Sequence, residues 1–275
     1  MEIKNESELR EADQQESLKL SNFFQFECRK GIKCFNQCCA DVNIVLTPYD
    51  VLRMKNRLGI TSDEFLKNYT GIIRSEKSIF PIVVLKMKDD EHKQCFFVSE
   101  EGCQIYEDRP WACRMFPLDK KESPGDETTF TLLKKLDCLG FEEEKVWKVE
   151  DWVLSQGINI YEKHESLYQD ITDHERAKDL DITNPDVFLM LQMALYDLDK
   201  FRKFVLESNF LNYFDVEQGR VETIRNDDTE LLTFGIEWIK FGLLGQQTFC
   251  VKEKVANEKK KELEKKGLLK QSPPD

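Results

Sequence analysis

The chain has 275 residues, 40% of them hydrophobic, which suffices for one large domain or a domain with a substantial subdomain and excludes a disordered chain. Its formal net charge of -12 at pH 7 argues against non-specific nucleic-acid binding, which needs a basic face. The opening MEIKNESELREADQQES has no basic start followed by an apolar run, and no apolar stretch reaches the ~18–20 residues of a spanning helix. The expectation is a cytoplasmic protein without a signal peptide or a membrane span.

Residues 1–22 are polar and read as a lead-in. DVNIVLTP has the β-branched character of a short strand, with Val42, Ile44 and Leu46 on one face. Thr47-Pro48-Tyr49-Asp50 then reads as a helix start: a Thr47 cap, Pro48 at the first helical position and an Asp50 that completes a capping box. That helix is predicted to end at Gly59, and Thr61-Ser62-Asp63-Glu64 opens a second one to about Tyr69. Ile79–Met87 and Gln94–Val98, separated by KDDEHK, predict a β-hairpin with Cys95 at the start of its second strand. Residues 101–117 read as a loop with a short helical turn over Trp111–Met115, KKESPGDETT as a surface turn, and Phe130–Leu133 as a strand.

From about Glu142 the pattern becomes helical. Short helices are predicted over 143–156 and 160–171. One amphipathic helix is predicted over Pro185–Glu207, with Phe188, Leu191, Leu195, Leu198, Phe201 and Val205 at helical spacing. A buried helix over Asp228–Leu244 and a charged helical tail over 252–266 follow. The predicted fold class is α+β: a small metal-organised, cysteine-rich lobe with few strands and a mostly helical C-terminal lobe. The expected boundaries are a lead-in at 1–22, the cysteine lobe at 23–141, the helical lobe at 142–250 and the tail at 251–275.

Eight of nine cysteines fall in the first half: Cys28, Cys34, Cys38, Cys39, Cys95, Cys103, Cys113 and Cys138. In a cytoplasmic chain clustered cysteines are metal ligands or redox groups more often than disulfides. Thiolates bind zinc at ~2.3 Å, and iron–sulfur clusters take four of them, so eight ligands suffice for two four-cysteine sites. The adjacent pair Cys38-Cys39 would point to opposite sides of an extended segment, and so to two sites or to two sides of one cluster. Arg29, Lys30, Lys33, Lys93, Arg109 and Arg114 are the bases placed to compensate thiolate charge, Arg109 and Arg114 above all because they bracket Cys113 among aromatic residues. Phe96, Phe97, Tyr106, Trp111 and Phe116 would pack around the centre. Cys250 reads as a lone hydrophobe. His92, His164 and His174 lie in polar segments and are expected to face solvent.

CRKGIKCFNQCC, NIVLTPYD and CFFVSEEGCQIYEDRPWACRMFP, with the later cysteine, resemble the YkgJ-type cysteine-cluster proteins. That group is also described as the CxxCxxCC zinc- or iron-chelating family, and flagellin lysine N-methylases belong among it. The resemblance covers about residues 26–140. It is close at Cys103, Tyr106, Arg109, Pro110, Cys113, Arg114 and Pro117, while the first half carries five residues rather than two after Cys28 and three rather than two before Cys38. It implies a zinc or iron–sulfur centre held by the cysteines.

No phosphate loop, GxGxxG or C-x3-C-x2-C motif occurs, and no catalytic residue is identified. The leading expectation is a protein holding one or two iron–sulfur clusters, of the [4Fe-4S] kind, that acts in electron transfer or as an oxidoreductase with a protein or redox partner. Tight C-x2-C pairs, usual in closed zinc sites, are missing, which favours iron. The alternatives are a zinc-bound structural or interaction module and, from the resemblance alone, a protein-lysine N-methylase-like enzyme.

Overall fold

The computed structural model describes residues 17–73, 80–122, 127–134 and 137–266. The expected lead-in over 1–16, Ile79, the centre of the 120–129 turn and the last nine residues lie outside them. The fold mixes helix and sheet and divides into two compact units. One comprises Met1–Gly59, Tyr69–Gly71 and Val83–Glu165; the other comprises Ile60–Asn68, Ile72–Ile82 and Ser166–Asp275.

The first unit is built from short antiparallel pairs. Phe23–Gln25 pairs with Val146–Lys148, Val45–Leu46 with Val83–Val84, Val98–Ser99 with Gly102–Cys103, and Leu118–Lys121 with Thr129–Leu132. Of residues 143–156, expected to be helical, Val146–Lys148 is therefore a strand, and the helix starts only at Val149. Trp147 explains the difference. Its indole N–H donates to the Phe26 carbonyl (3.1 Å) and its ring meets Trp152 edge-on, contacts that an extended backbone here permits. Phe26 is 1% exposed and packs edge-on against Phe116 and Trp152 at the centre of a core with Met115, Leu118, Phe130 and Val149. Burying such a ring contributes about 1.5–3 kcal/mol, and it sits two residues from Cys28.

Helix Pro48–Leu58 forms as the capping box predicts. Thr47 Oγ1 accepts from the Asp50 amide (3.1 Å), Asp50 accepts from the Thr47 amide (2.8 Å), and Gly59 ends the helix at φ 66°. Helix Ser62–Tyr69 follows as expected. The hairpin predicted to hold Cys95 is reduced to an isolated bridge between Met87 and Cys95, because Cys95 is drawn to another partner: its amide donates to the Cys39 carbonyl (2.9 Å).

In the second unit the single helix expected over Pro185–Glu207 is two, Pro185–Leu195 and Leu198–Glu207. All six apolar positions named above are buried, so the periodicity is right and the continuity is not. Asp197 interrupts it by capping the second helix through the Lys200 amide (3.4 Å) and by accepting the Ser62 hydroxyl proton (2.7 Å). Helix Asp228–Gly242 crosses so close that a Cβ on Gly235 would lie 2.3 Å from the Ala194 carbonyl oxygen. Glu253–Lys265 is the charged tail helix. Among the described residues no helix is long and apolar enough to cross a membrane.

Candidate metal centre

Asn36 adopts a left-handed backbone (φ 68°) and its side chain donates to the Ser99 carbonyl (2.8 Å), and the chain then turns through the 3-10 helix Gln37–Cys39. The expected extended segment at Cys38-Cys39 is thus a turn. A 3-10 helix separates successive side chains by about a third of a turn, and here the two thiols remain within hydrogen-bond reach of each other.

Cys38 shares a surface cavity of about 160 Å3 with Cys28, Cys34 and Cys138. Its other walls include Ile32, Phe116, Gly140, Glu27 and Asp137. The Leu139 amide donates to the Cys34 Sγ (3.2 Å) and the Glu27 amide to the Gly140 carbonyl (2.9 Å), tying the first cysteine loop to the last. A Cβ on Gly140 would lie 2.6 Å from the Glu27 carbonyl oxygen, so only glycine allows this approach. Burial, then the neighbouring Cys38, Cys138 and Cys34, pushes the Cys28 thiol up to about 11. The residue itself is exposed, but its thiol turns into the cavity. Burial followed by Cys34 and Cys38 likewise raises Cys138.

Cys39 touches Cys38 but also neighbours Cys113 and Cys95. A hydrogen bond with Cys38, then burial and the charges of Cys38, Cys113 and Cys95, raise its thiol. Cys113 is pushed up to about 12, by burial first and then by Cys95, Asp50 and Cys103. Burial also raises Cys95 and Cys103. Cys28, Cys34, Cys38 and Cys138 thus line one cavity, Cys39, Cys95, Cys103 and Cys113 act on one another, and the Cys38–Cys39 hydrogen bond joins the two groups of four. Cys250 is exposed and in the other unit.

Both sets have the donor chemistry of a metal site. Thiols crowded together and withdrawn from water hold their protons because neighbouring thiolates would repel, and a bound cation removes that penalty. Among the described residues no three His, Cys, Asp or Glu side chains converge tightly enough to hold a single ion.

The two predicted arginines flank the second set, and both are buried. Arg109 stands 3.6 Å from the centre of the Tyr106 ring and donates to the Tyr106 carbonyl (2.5 Å) and the Gln156 side chain. Burial lowers its pKa, against the pull of Tyr106, Cys113 and Cys103. Arg114 donates to the carbonyls of Arg109 (3.1 Å), Gln156 (2.6 Å) and Glu107, folding the Cys103–Cys113 loop around one guanidinium. Of the remaining bases, Arg29 pairs with Glu27 and Glu143, Lys30 with Glu101 and Lys93 with Asp41, all on the surface.

Three residues carry roles that the sequence pattern did not disclose. Asp50, fully buried, accepts the Trp111 amide (2.8 Å) and so links its helix to the one that bears Cys113; burial pushes its carboxyl up to about 6 against hydrogen bonds from Thr47 and Trp111. Gln156 receives both arginines, and no motif marks it. His164, expected to face solvent, is 7% exposed and stacks on Tyr49 at 4.0 Å. Its helix face is the apolar one that carries Ile158 and Tyr161, a register that a polar local composition hides. His92 is exposed.

Residues 27–138 match the model of the CxxCxxCC family, described as a putative zinc- or iron-chelating domain; the matched segment begins one residue before Cys28 and ends on Cys138. No curated protein and no solved structure matches the chain.

Proposed function

We propose, from the match of residues 27–138 to the CxxCxxCC family model, that the eight clustered cysteines hold two metal centres, that these are iron–sulfur clusters, and that the protein works in electron transfer or as an oxidoreductase. The observation that supports this reading is the partition of the thiols into four and four, since a thiolate-ligated cluster takes four. Cys28, Cys34, Cys38 and Cys138 would hold one centre; Cys39, Cys95, Cys103 and Cys113 the other. A cluster would supply reversible one-electron chemistry, with its potential set by burial, charge and hydrogen bonds to sulfur. The protein's own part is to place those terms. Arg109 and Arg114 bring positive charge beside one set, the Leu139 amide donates to a sulfur of the other, and Phe116 and Phe26 keep water from the inner wall.

Anaerobic purification followed by iron, sulfide and zinc measurement tests the reading. About eight iron with matching sulfide per chain is expected for two [4Fe-4S] clusters, with absorbance near ~400 nm. Zinc without sulfide would remove the redox role and leave a metal-stapled module.

A further inference from the structure

The two sets of cysteines have opposite surroundings. The Cys28 set lines a cavity whose volume is about 160 Å3, about ten times the ~10–15 Å3 that a single water needs, and three of the lining residues, Cys28, Gln37 and Asp137, are exposed. The charged side chains among the described lining residues are Glu27 and Asp137, both acidic. Arg29, next to Cys28 in sequence, is drawn off by Glu27 and Glu143 at 3.0 and 2.7 Å. The Cys39 set, half-buried like Cys34, Cys38 and Cys138, has instead the buried guanidiniums of Arg109 and Arg114 beside Cys113, with donors tied to Gln156 and to backbone carbonyls. Its Cys113 is anchored through the Trp111 amide to the buried carboxyl of Asp50.

We infer that the two sites are inequivalent in exchange: the Cys28 site takes up and releases its metal from solvent, whereas the Cys39 site holds its metal as a fixed part of the fold. This rests on the metal reading above but not on the choice between iron and zinc. The physical reason lies in the steps of release. Water or a competing ligand must reach the metal and a thiolate must swing away, taking up a proton as it leaves. The open, anionic cavity admits the competitor and gives the departing thiolate room at Cys28. At the Cys39 site the buried arginines stabilise the thiolates in place, and the Trp111–Asp50 contact holds the helix that bears Cys113.

The test is metal release from the full-length protein as isolated, without oxygen, into excess bipyridine, a ligand for both iron(II) and zinc, with metal remaining on the chain measured against time. Two phases of equal amplitude are expected, with rates about 10–100-fold apart. Cys28→Ser, with Cys138→Ser as a second variant should the first fail to fold, removes the fast phase and half of the metal and leaves the slow phase as it was. Arg109→Gln accelerates the slow phase and leaves the fast phase unchanged. Release in a single phase, or loss of all metal in a folded Cys28→Ser protein, overturns the inference and leaves the metal reading standing. A chain that carries no metal overturns both.

Discussion

The backbone amide of Leu139 donates to the Sγ of Cys34 across 105 positions of sequence, at 3.2 Å. It is the kind of contact that tunes a thiolate ligand, because a donor to sulfur withdraws charge from it. Proline tests it cleanly: Leu139 opens a short 3-10 turn, where a missing N–H breaks no intrahelical bond, and Cys138 before it is already extended. In Leu139→Pro the chain should fold with wild-type circular dichroism. The potential of an iron–sulfur centre at the Cys28 set should fall, or the affinity for zinc there drop about tenfold. Unchanged potential and affinity would show that the contact tunes nothing.

Arg114 is the hub of the Cys103–Cys113 loop: its fork donates to three carbonyls, of which that of Arg109 also accepts from the Tyr161 hydroxyl and that of Glu107 from Arg53. Lysine keeps the charge but cannot present that fork. Arg114→Lys should cost about 1–3 kcal/mol in urea unfolding, chiefly from the Gln156 carbonyl that loses its donor. It should also release metal from the Cys39 set. A loss below about 0.5 kcal/mol would mean that water replaces the fork.

His164 stacks on Tyr49 with a buried Nδ1 that has no hydrogen-bond partner among the described residues. Burial, then Lys163, lowers its pKa. The native state therefore takes up this proton less readily than the unfolded chain. Stability from this group is present above the unfolded value of about 6.5 and is lost as pH falls from there through the lowered folded value. His164→Phe keeps the stack and removes both the unpaired nitrogen and the titration. Its thermal midpoint should change less than that of wild type between pH 7 and pH 5. At pH 7 the variant should be at least as stable, by up to about 1 kcal/mol. Equal pH profiles for the two proteins would refute the assignment.

Asp197 both caps helix Leu198–Glu207 and accepts from Ser62. Asp197→Ala should lose about 1–3 kcal/mol, a cap and a buried hydrogen bond, as a shift in the urea midpoint without a change in slope. Asp197→Asn, which still caps, should recover part of that loss. Equal losses in the two variants would place the effect in the charge rather than in the cap.

Much of the local structure was legible because it is written in short-range chemistry. Thr47, Pro48 and Asp50 specify a helix start by donors and acceptors within three residues, and the structure has that capping box. The apolar period from Phe188 to Val205 identified a buried face correctly, because periodicity reports which side is covered. It could not report that Asp197 would leave the helix for Ser62, a partner 135 positions away. Similarly, Val146–Lys148 lies in a stretch that looks helical locally but forms a strand that pairs with Phe23–Gln25.

The same division runs through the metal centre. By itself the sequence determined that eight cysteines lie between Cys28 and Cys138, that an adjacent pair stands among them, and that Arg109 and Arg114 bracket Cys113. It also carries the family pattern over 27–138. Only the tertiary structure decided which thiols share surroundings, because a cysteine's partners are fixed by loops that close over distances no spacing rule spans: Leu139 onto Cys34, and Cys95 onto Cys39. It alone decided which set lines a cavity beside two carboxylates and which has two buried guanidiniums as neighbours, since burial is a property of the packed chain and not of any stretch of it.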